Sequence, residues 1–177
     1  PPLLNSTPLP FGVRILLATN EAFDAATLQL WTALTHGKTL VVSARRTTHY
    51  PDKLKSIINA HKIDHLYLTT GLMERYIQSC PDDLFQGIST LVFSGDAVSV
   101  NAVSKALDTN IPNIINLYGP AETSVYATAL ICKPHQAEQQ RIPNGKVCDN
   151  TCVYLVDKKG RLVPKGITGE IMTIIHI

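Results

Sequence analysis

Short, almost entirely apolar runs alternate with longer amphipathic segments over the first two thirds of the chain, and this alternation constrains the fold most. A strand that is apolar at nearly every position, instead of at every second one, must be covered on both faces. Strands that alternate with helices of ten or more residues form a parallel sheet with helices packed against it. The sequence therefore predicts an α/β fold with a largely parallel, helix-covered sheet. Its five apolar runs occupy residues 13–18, 39–43, 64–68, 90–94 and 113–117.

The segments between these runs carry recognisable helix ends. Asp24 can cap the first helix, over residues 25–36, and Gly37 permits the left-handed turn that ends it. Pro51 suits the first turn of the second helix and Ser99 can cap a later one. A further helix is predicted over residues 70–79. On the first helix, apolar side chains recur at helical spacing: Leu28, Trp31 and Leu34.

The pattern changes after about residue 121, where predicted strands follow one another without helices between them. Asp-Lys-Lys-Gly at residues 157–160 is a typical hairpin turn. At the other end, prolines interrupt the first ten residues and predict an extended arm or linker. The predicted organisation is an arm over residues 1–12, an α/β part over 13–124 and a β-rich part over 125–177. The late strands are predicted at residues 125–131, 152–156, 161–164 and 170–174.

Charge and hydropathy exclude several classes of protein. The 16 Lys and Arg residues nearly balance the 14 Asp and Glu residues, so the chain lacks the basic surface of a nucleic-acid binder. No apolar run approaches the roughly 20 residues that a membrane-spanning helix needs, and no secretory signal is recognisable. We therefore expect a soluble, cytoplasmic protein that binds neither nucleic acid nor membranes.

The residues richest in chemical groups follow the last apolar run directly. Residues 116–124 read Asn-Leu-Tyr-Gly-Pro-Ala-Glu-Thr-Ser, so a tight turn combines an aromatic ring, a carboxylate and hydroxyls. This turn lies at the carboxyl end of a strand, where open α/β sheets bind ligands. The ring of Tyr118 suits a flat heterocycle, and Glu122 beside hydroxyls suits a magnesium-bound phosphate. An ordinary turn with a solvated Glu122 explains the same residues.

Two further candidate sites are weaker when taken alone. Residues 94–97, Ser-Gly-Asp-Ala, follow another predicted strand, and Gly95 permits close approach of a ligand to the backbone. The same residues also fit a plain strand-to-helix turn. Asp24 can either cap its helix or point its carboxylate at a cationic ligand. Nothing in the local sequence decides between these alternatives.

Taken together and in order, these motifs resemble the adenylation domains of nonribosomal peptide synthetases, in the acyl-adenylate-forming superfamily. Residues 23–26, Phe-Asp-Ala-Ala, are similar to the family's Phe-Asp-x-Ser, and residues 94–97 to its Gly-Gly-Glu/Asp-Ala. Residues 116–123 resemble Asn-x-Tyr-Gly-Pro-Thr-Glu-Thr, and residues 166–171 resemble Gly-x-x-Gly-Glu-Leu. The resemblance covers nearly the whole chain from Val13 onward. Four ordered motifs are far more specific than any one of them.

The resemblance implies a reaction and its participants. An amino acid and ATP, with Mg²⁺, give an aminoacyl-adenylate and pyrophosphate. The acyl group then passes to the phosphopantetheine thiol of a carrier-protein domain, as in the biosynthesis of secondary metabolites. The resemblance assigns Asp24 to the α-ammonium group of the amino acid. It assigns adenine to Gly95, Asn116, Tyr118 and Gly119, the magnesium ion to Glu122, and the α-phosphate to Thr123.

The family's pocket for the substrate side chain can also be carried over by position. These positions are mostly apolar, with two phenols and one hydroxyl, so a buried charged side chain would lack a partner and cost several kcal/mol. We therefore favour an apolar or aromatic amino acid. The implied pocket residues are Ala25, Leu28, Tyr67, Val92, Ser94, Leu117, Val125 and Tyr126.

Departures from the family pattern keep a second function open. Ala121 replaces the usual threonine, and no Ser/Thr/Gly-rich phosphate loop with a lysine precedes Phe23. The family's ribose-binding aspartate and C-terminal lysine are not recognisable either. We expect a central piece that needs the remaining parts of an adenylation domain and is inactive alone. The alternatives are a non-catalytic scaffold or docking module and an unrelated nucleotide-binding α/β protein, which would need a glycine-rich first-strand turn.

Overall fold

Strands and helices alternate from residue 14 to residue 118, as the sequence predicts. The computed structural model describes residues 12–44 and 46–175, so nearly all of the predicted arm lies outside the described residues. Each of the five predicted strands lies within one residue of its predicted ends. The strands are β1 (Arg14–Leu17), β2 (Thr39–Val42), β3 (His65–Thr69), β4 (Thr90–Ser94) and β5 (Asn113–Tyr118). The helices are α1 (Asp24–Thr35), α2 (Pro51–His61), α3 (Thr70–Ser79) and α4 (Val100–Leu107).

These strands form one sheet in the order β2-β1-β3-β4-β5-β6-β7. Strands β1 to β5 pair in parallel, whereas β6 (Thr128–Ile131) and β7 (Lys146–Val147) extend the sheet in antiparallel fashion. Ser94 pairs with Thr69 on one side and with Leu117 on the other. The carboxyl ends of β3, β4 and β5 are therefore level at one edge of the sheet. The sheet continues past residue 124 to residue 147.

A separate antiparallel hairpin follows, formed by β8 (Thr151–Val156) and β9 (Glu170–Ile175). The predicted turn at 157–160 forms, with the amide of Gly160 donating to the carbonyl of Asp157 at 2.9 Å. The strand predicted at 161–164 was wrong. In the described part of this segment, only a single bridge joins Leu162 to Val156. The partner of β8 is instead β9, which pairs with it along six residues.

Alternate side chains of the central strands enter two different cores. On one face, Leu68 and Phe93 join a cluster with buried residues of α2, α3 and α4. On the other face, Tyr67 and Val92 join a cluster with Ala25 of α1 and with residues that follow β5. Three helices therefore cover one face of the sheet, and α1 lies on the other. Of the helices in residues 12–44 and 46–175, none has the length and apolar character that crossing a membrane requires.

Helix α1 buries its small side chains and exposes its large ones. Trp31 is 51% exposed and Leu34 is 61% exposed, so the apolar spacing in the sequence does not mark the face that meets the sheet. The small side chains allow the helix backbone to lie close to β1 and β2. The side chain of Gln29, also on this face, donates to the Thr19 hydroxyl at 2.8 Å. The buried residues of α1 are Ala25, Ala26, Gln29, Thr32 and Ala33.

Candidate functional site

A cavity of about 660 Å³ opens at the carboxyl edge of the sheet. It is lined by residues that follow four different parallel strands, among them Asn20, Thr69, Gly95 and Tyr118. Each of these residues follows or ends its strand, so the parallel register brings them to one place. This is the position at which open α/β sheets bind ligands.

The turn after β5 forms one wall of this cavity. Gly119 lies so close to the returning chain that a Cβ atom would come within 2.6 Å of the backbone nitrogen of Ala127. The carbonyl of Tyr118 accepts a hydrogen bond from the same nitrogen at 2.8 Å. Ser124 and Val125 have φ angles of 55° and 87°, which turn the chain back toward Gly119. The lack of a side chain at residue 119 therefore positions Val125 and Tyr126 in the cavity wall.

Asp24 lies at the mouth of the same cavity rather than in a helix cap. The cap prediction was wrong, because α1 begins at Asp24 itself and Phe23 is the N-cap residue. Phe23 has extended backbone, with φ −92° and ψ 142°, and both Phe23 and Asp24 line the cavity. Among the described residues, none forms a hydrogen bond or an ion pair with the half-buried carboxylate of Asp24. Its negative charge nevertheless acts on two buried phenols in the cavity wall, those of Tyr67 and Tyr126.

Three hydroxyl groups meet in the buried part of the cavity. The hydroxyls of Tyr67 and Ser94 are hydrogen-bonded, and the hydroxyl of Tyr126 donates to that of Tyr67 at 2.8 Å. Ser94 Oγ and Tyr126 Oη lie 3.3 Å apart. Burial raises the pKa of both tyrosines, and the charge of Asp24 raises each pKa further. We call these three residues the hydroxyl cluster, and it is uncharged at neutral pH.

The cavity brings together most, but not all, of the residues implied for the substrate. Leu28, Val92 and Leu117 do not line it. They pack in the apolar cluster behind its wall, which also contains Tyr67 and Tyr126. The implied substrate residues that line the cavity are Asp24, Ala25, Tyr67, Ser94, Val125 and Tyr126.

The residues implied for adenine and phosphate are divided in the same way. Gly95, Tyr118 and Gly119 line the cavity. Asn116 does not line it; this residue is buried, and its amide nitrogen donates to the carbonyl of Pro143 at 3.3 Å. Thr123 is also buried, and its hydroxyl closes the turn by donating to the carbonyl of Pro120 at 2.8 Å.

Glu122 is exposed on the short 3-10 turn next to the cavity. No cluster of three or more His, Cys, Asp or Glu residues in the described part of the chain could hold a metal ion. Mg²⁺ nevertheless needs only one or two carboxylates when phosphate oxygens and water supply its other ligands. An exposed carboxylate two residues after the cavity-lining Pro120 fits that requirement.

Sequence reasoning missed one side of the cavity. Arg46 and His49, in the segment after β2, line it together with Phe23, whose ring is 64% exposed. The available signal was topological, since β2 is parallel to β1 and must end at the same edge. Arg46 also has a φ of 63°, a conformation uncommon for residues other than glycine. The local sequence of this segment carries no recognisable motif.

Comparisons with known proteins agree with this geometry. Residues 4–174 match the family model described as AMP-binding enzyme. The chain is 33% identical over 165 residues to malpibaldin synthetase of Mortierella alpina and 32% identical over 158 residues to bacitracin synthase 1 of Bacillus licheniformis. These alignments cover 93% and 89% of this chain but only 3% of each relative. PA1221, an NRPS protein containing adenylation and PCP domains, has a matching structure, with a TM-score of 0.85, 30% identity and coverage of 97% of this chain and 35% of that one.

Proposed function

The chain belongs to the AMP-binding enzyme family, and on that basis we propose that it is the substrate-binding part of an amino-acid adenylation domain of a nonribosomal peptide synthetase. In the proposed reaction, the carboxylate of an amino acid attacks the α-phosphorus of ATP. An aminoacyl-adenylate forms and pyrophosphate leaves. The phosphopantetheine thiol of a carrier-protein domain then attacks the acyl carbon and releases AMP.

One observation carries this proposal: Asp24 and Tyr118, from two motifs far apart in the sequence, line one cavity. A carboxylate with no partner among the described residues can bind the α-ammonium group of an amino acid. A charge-assisted hydrogen bond of this kind contributes about 1.5 to 3 kcal/mol. An aromatic ring across the same cavity can stack on adenine. The two substrates would thus be held next to each other, as the attack on the α-phosphorus requires.

The glycines of the cavity support adenine binding. Gly95 has a φ of 114°, and a Cβ atom placed there would meet nothing within 4 Å, so its backbone faces open space. We propose that the purine lies along Gly95, between it and Tyr118, with Gly119 beneath. The amide nitrogen of Asn116 is engaged by Pro143, so its Oδ1 is the atom proposed to accept the exocyclic amine of adenine.

Glu122 and Thr123 are proposed to act at the phosphates. The exposed carboxylate of Glu122 would hold Mg²⁺, and the bound ion would offset the negative charge that develops on the phosphate oxygens. The hydroxyl of Thr123 donates to Pro120 and keeps the turn closed, so Thr123 would position the segment proposed to face the α-phosphate. Ala121 offers no hydroxyl here, so one phosphate contact found in relatives of the family would be missing.

The cavity favours an uncharged amino-acid side chain, and we propose an apolar or aromatic one. Val125 and Ala25 contribute apolar surface to the wall, and the hydroxyl cluster carries no charge. A buried charged side chain would lose its hydration without gaining an ion pair there. Arg46 lines the cavity too, but it is exposed to solvent.

Amino-acid-dependent exchange of pyrophosphate into ATP tests the proposal in the full-length protein that carries this chain. We expect Asp24→Asn to lower kcat/KM by roughly 10- to 150-fold, the equivalent of one charge-assisted hydrogen bond. Asp52→Asn, on an exposed turn of α2, is the matched control and should leave exchange unchanged. Exchange that is indifferent to Asp24→Asn would contradict the assigned role of this residue. No exchange with any standard amino acid would favour a non-catalytic scaffold or docking module.

Loading of a carrier protein tests the second half-reaction. We expect the full-length protein to transfer the activated amino acid to a carrier domain that bears phosphopantetheine, and not to the unmodified carrier. We also expect the 177-residue chain alone to be inactive, because it needs the remaining parts of an adenylation domain. Exchange catalysed by the isolated chain would overturn that expectation.

A further inference from the structure

We propose that the hydroxyl cluster of Tyr67, Ser94 and Tyr126 selects an amino acid whose side chain carries a neutral oxygen atom on an otherwise apolar body. The inference rests on the proposed function and departs from its apolar or aromatic substrate in one respect, the neutral oxygen atom. Such side chains end in a hydroxyl group or in an amide carbonyl.

The cluster lies where the end of a substrate side chain would lie. Tyr67, Ser94 and Tyr126 are 7%, 7% and 4% exposed, although all three line the cavity. Tyr118 and Asp24, which would hold the adenine and the ammonium group, are only half-buried. A side chain that extends from a bound ammonium group into the buried part of the cavity therefore meets these hydroxyls.

A count of protons shows that the cluster has one donor left over. Three hydroxyl groups carry three protons, and the two shorter contacts use two of them. Tyr126 donates to Tyr67, and either hydroxyl of the Tyr67–Ser94 contact can supply its proton. We assign that proton to Tyr67, because hydrogen bonds that run in one direction along a chain strengthen one another. The remaining proton then belongs to Ser94. Its nearest acceptor within the cluster is Tyr126 Oη at 3.3 Å, longer than the usual 2.5 to 3.0 Å for hydroxyl pairs.

The spare proton of Ser94 determines what the cavity prefers. An apolar side chain would bury this donor without a good acceptor, whereas a hydroxyl or carbonyl oxygen would accept its hydrogen bond. Sites that hydrogen-bond a substrate group discriminate strongly against an analogue that lacks the group. Because Asp24 lines the same cavity, a carboxylate on the substrate side chain would be repelled. The preferred oxygen is therefore a neutral one.

Exchange assays with pairs of amino acids of similar shape test this inference in the full-length protein. The pairs are threonine with valine, asparagine with leucine, and tyrosine with phenylalanine. We expect the best substrate to be an oxygen-bearing member that exceeds its apolar counterpart by roughly 10- to 100-fold in kcat/KM. An apolar member that equals or exceeds its counterpart would overturn the inference and leave the proposed function intact. A charged best substrate would also overturn it. Absence of exchange with every amino acid would instead refute the proposed function on which the inference rests.

The variant Ser94→Ala identifies the responsible hydroxyl. We expect it to reduce the preference within the best pair to about threefold or less, mostly because the oxygen-bearing substrate loses its bond. Ser56→Ala, at an exposed site on α2, is the matched control and should retain the full preference. Thermal midpoints of both variants show whether they fold. If Ser94→Ala folds and keeps the preference, the assignment to Ser94 is wrong.

Discussion

Replacing Gly119 by alanine tests whether the fold depends on the close contact between the turn after β5 and the backbone of residues 125–127. The new Cβ atom would lie 2.6 Å from the nitrogen of Ala127, 2.6 Å from the Cα of Tyr126 and 2.8 Å from the carbonyl oxygen of Val125. All three are backbone atoms, so no flexible side chain can move aside. Overpacking of this kind costs about 1 to 3 kcal/mol. Movement of the segment would also weaken the 2.8 Å bond from Ala127 to Tyr118, worth about 0.5 to 1.5 kcal/mol.

We therefore expect Gly119→Ala to lower the free energy of unfolding by about 2 to 4 kcal/mol, measured by urea titration and far-ultraviolet circular dichroism. Gly71→Ala is the matched control. Gly71 lies in the first turn of α3, and a Cβ atom there meets nothing within 4 Å. That control should be stabilised by roughly 0.5 to 1 kcal/mol, because alanine favours helix more than glycine does. A Gly119→Ala variant within about 0.5 kcal/mol of the parent would refute the steric reasoning.

Three further substitutions test other parts of the fold by urea titration. Lys62→Gly should raise the free energy of unfolding by about 1 kcal/mol, because Lys62 ends α2 with a φ of 51°; a lower value would argue against strain at this residue. Tyr76→Phe should lower it by about 1 to 2 kcal/mol, since the buried Tyr76 hydroxyl donates to the carbonyl of Thr48; an unchanged value would mean that this carbonyl finds another donor. Burial lowers the pKa of His65 from 6.5 to about 4. The contribution of His65 to the free energy of unfolding is therefore fully present above pH 6.5, and the free energy of unfolding falls by about 3 kcal/mol as the pH is lowered to about 4. His65→Gln should remove that part of the pH dependence, and an unaltered pH profile would show that His65 is not its source.

The sheet was predictable because its strands are apolar at nearly every position. Because these strands are buried on both faces, their residues do not alternate between apolar and polar. The apolar run therefore ends where the strand ends, and the ends of β4 could be located to the residue. The strand expected at 161–164 failed for a related reason. Arg161 and Leu162 suit an edge strand, but Pro164 ends the segment after too few residues to form a ladder that competes with β9.

Helix α1 shows where spacing alone misleads. Its large apolar residues do recur at helical intervals, yet the face that meets the sheet is the one with small side chains. The distance between a helix and a sheet decides which side chains fit between them, and periodicity carries no information about that distance. The same limit applies to Leu28 and Val92, which pack behind the cavity wall instead of lining it.

The cavity itself was predictable only in part. Loops that follow neighbouring parallel strands must meet, which accounts for Tyr118 and Gly95. The hydroxyl cluster depends on the angles at which Tyr67 and Tyr126 leave different strands and loops, and these angles depend on tertiary packing. Arg46 enters the cavity from a segment whose left-handed residue gives no signal in the sequence.

The outward position of Trp31 gives the protein an optical reporter of its own. It is the only tryptophan in the chain, and half of its surface is in contact with water. Its fluorescence therefore arises from a single indole on the outer surface of α1, and its emission should be that of a hydrated ring. Any molecule that settles on this surface would shift the emission to shorter wavelengths without a label, and acrylamide quenching would report how much of the ring it covers.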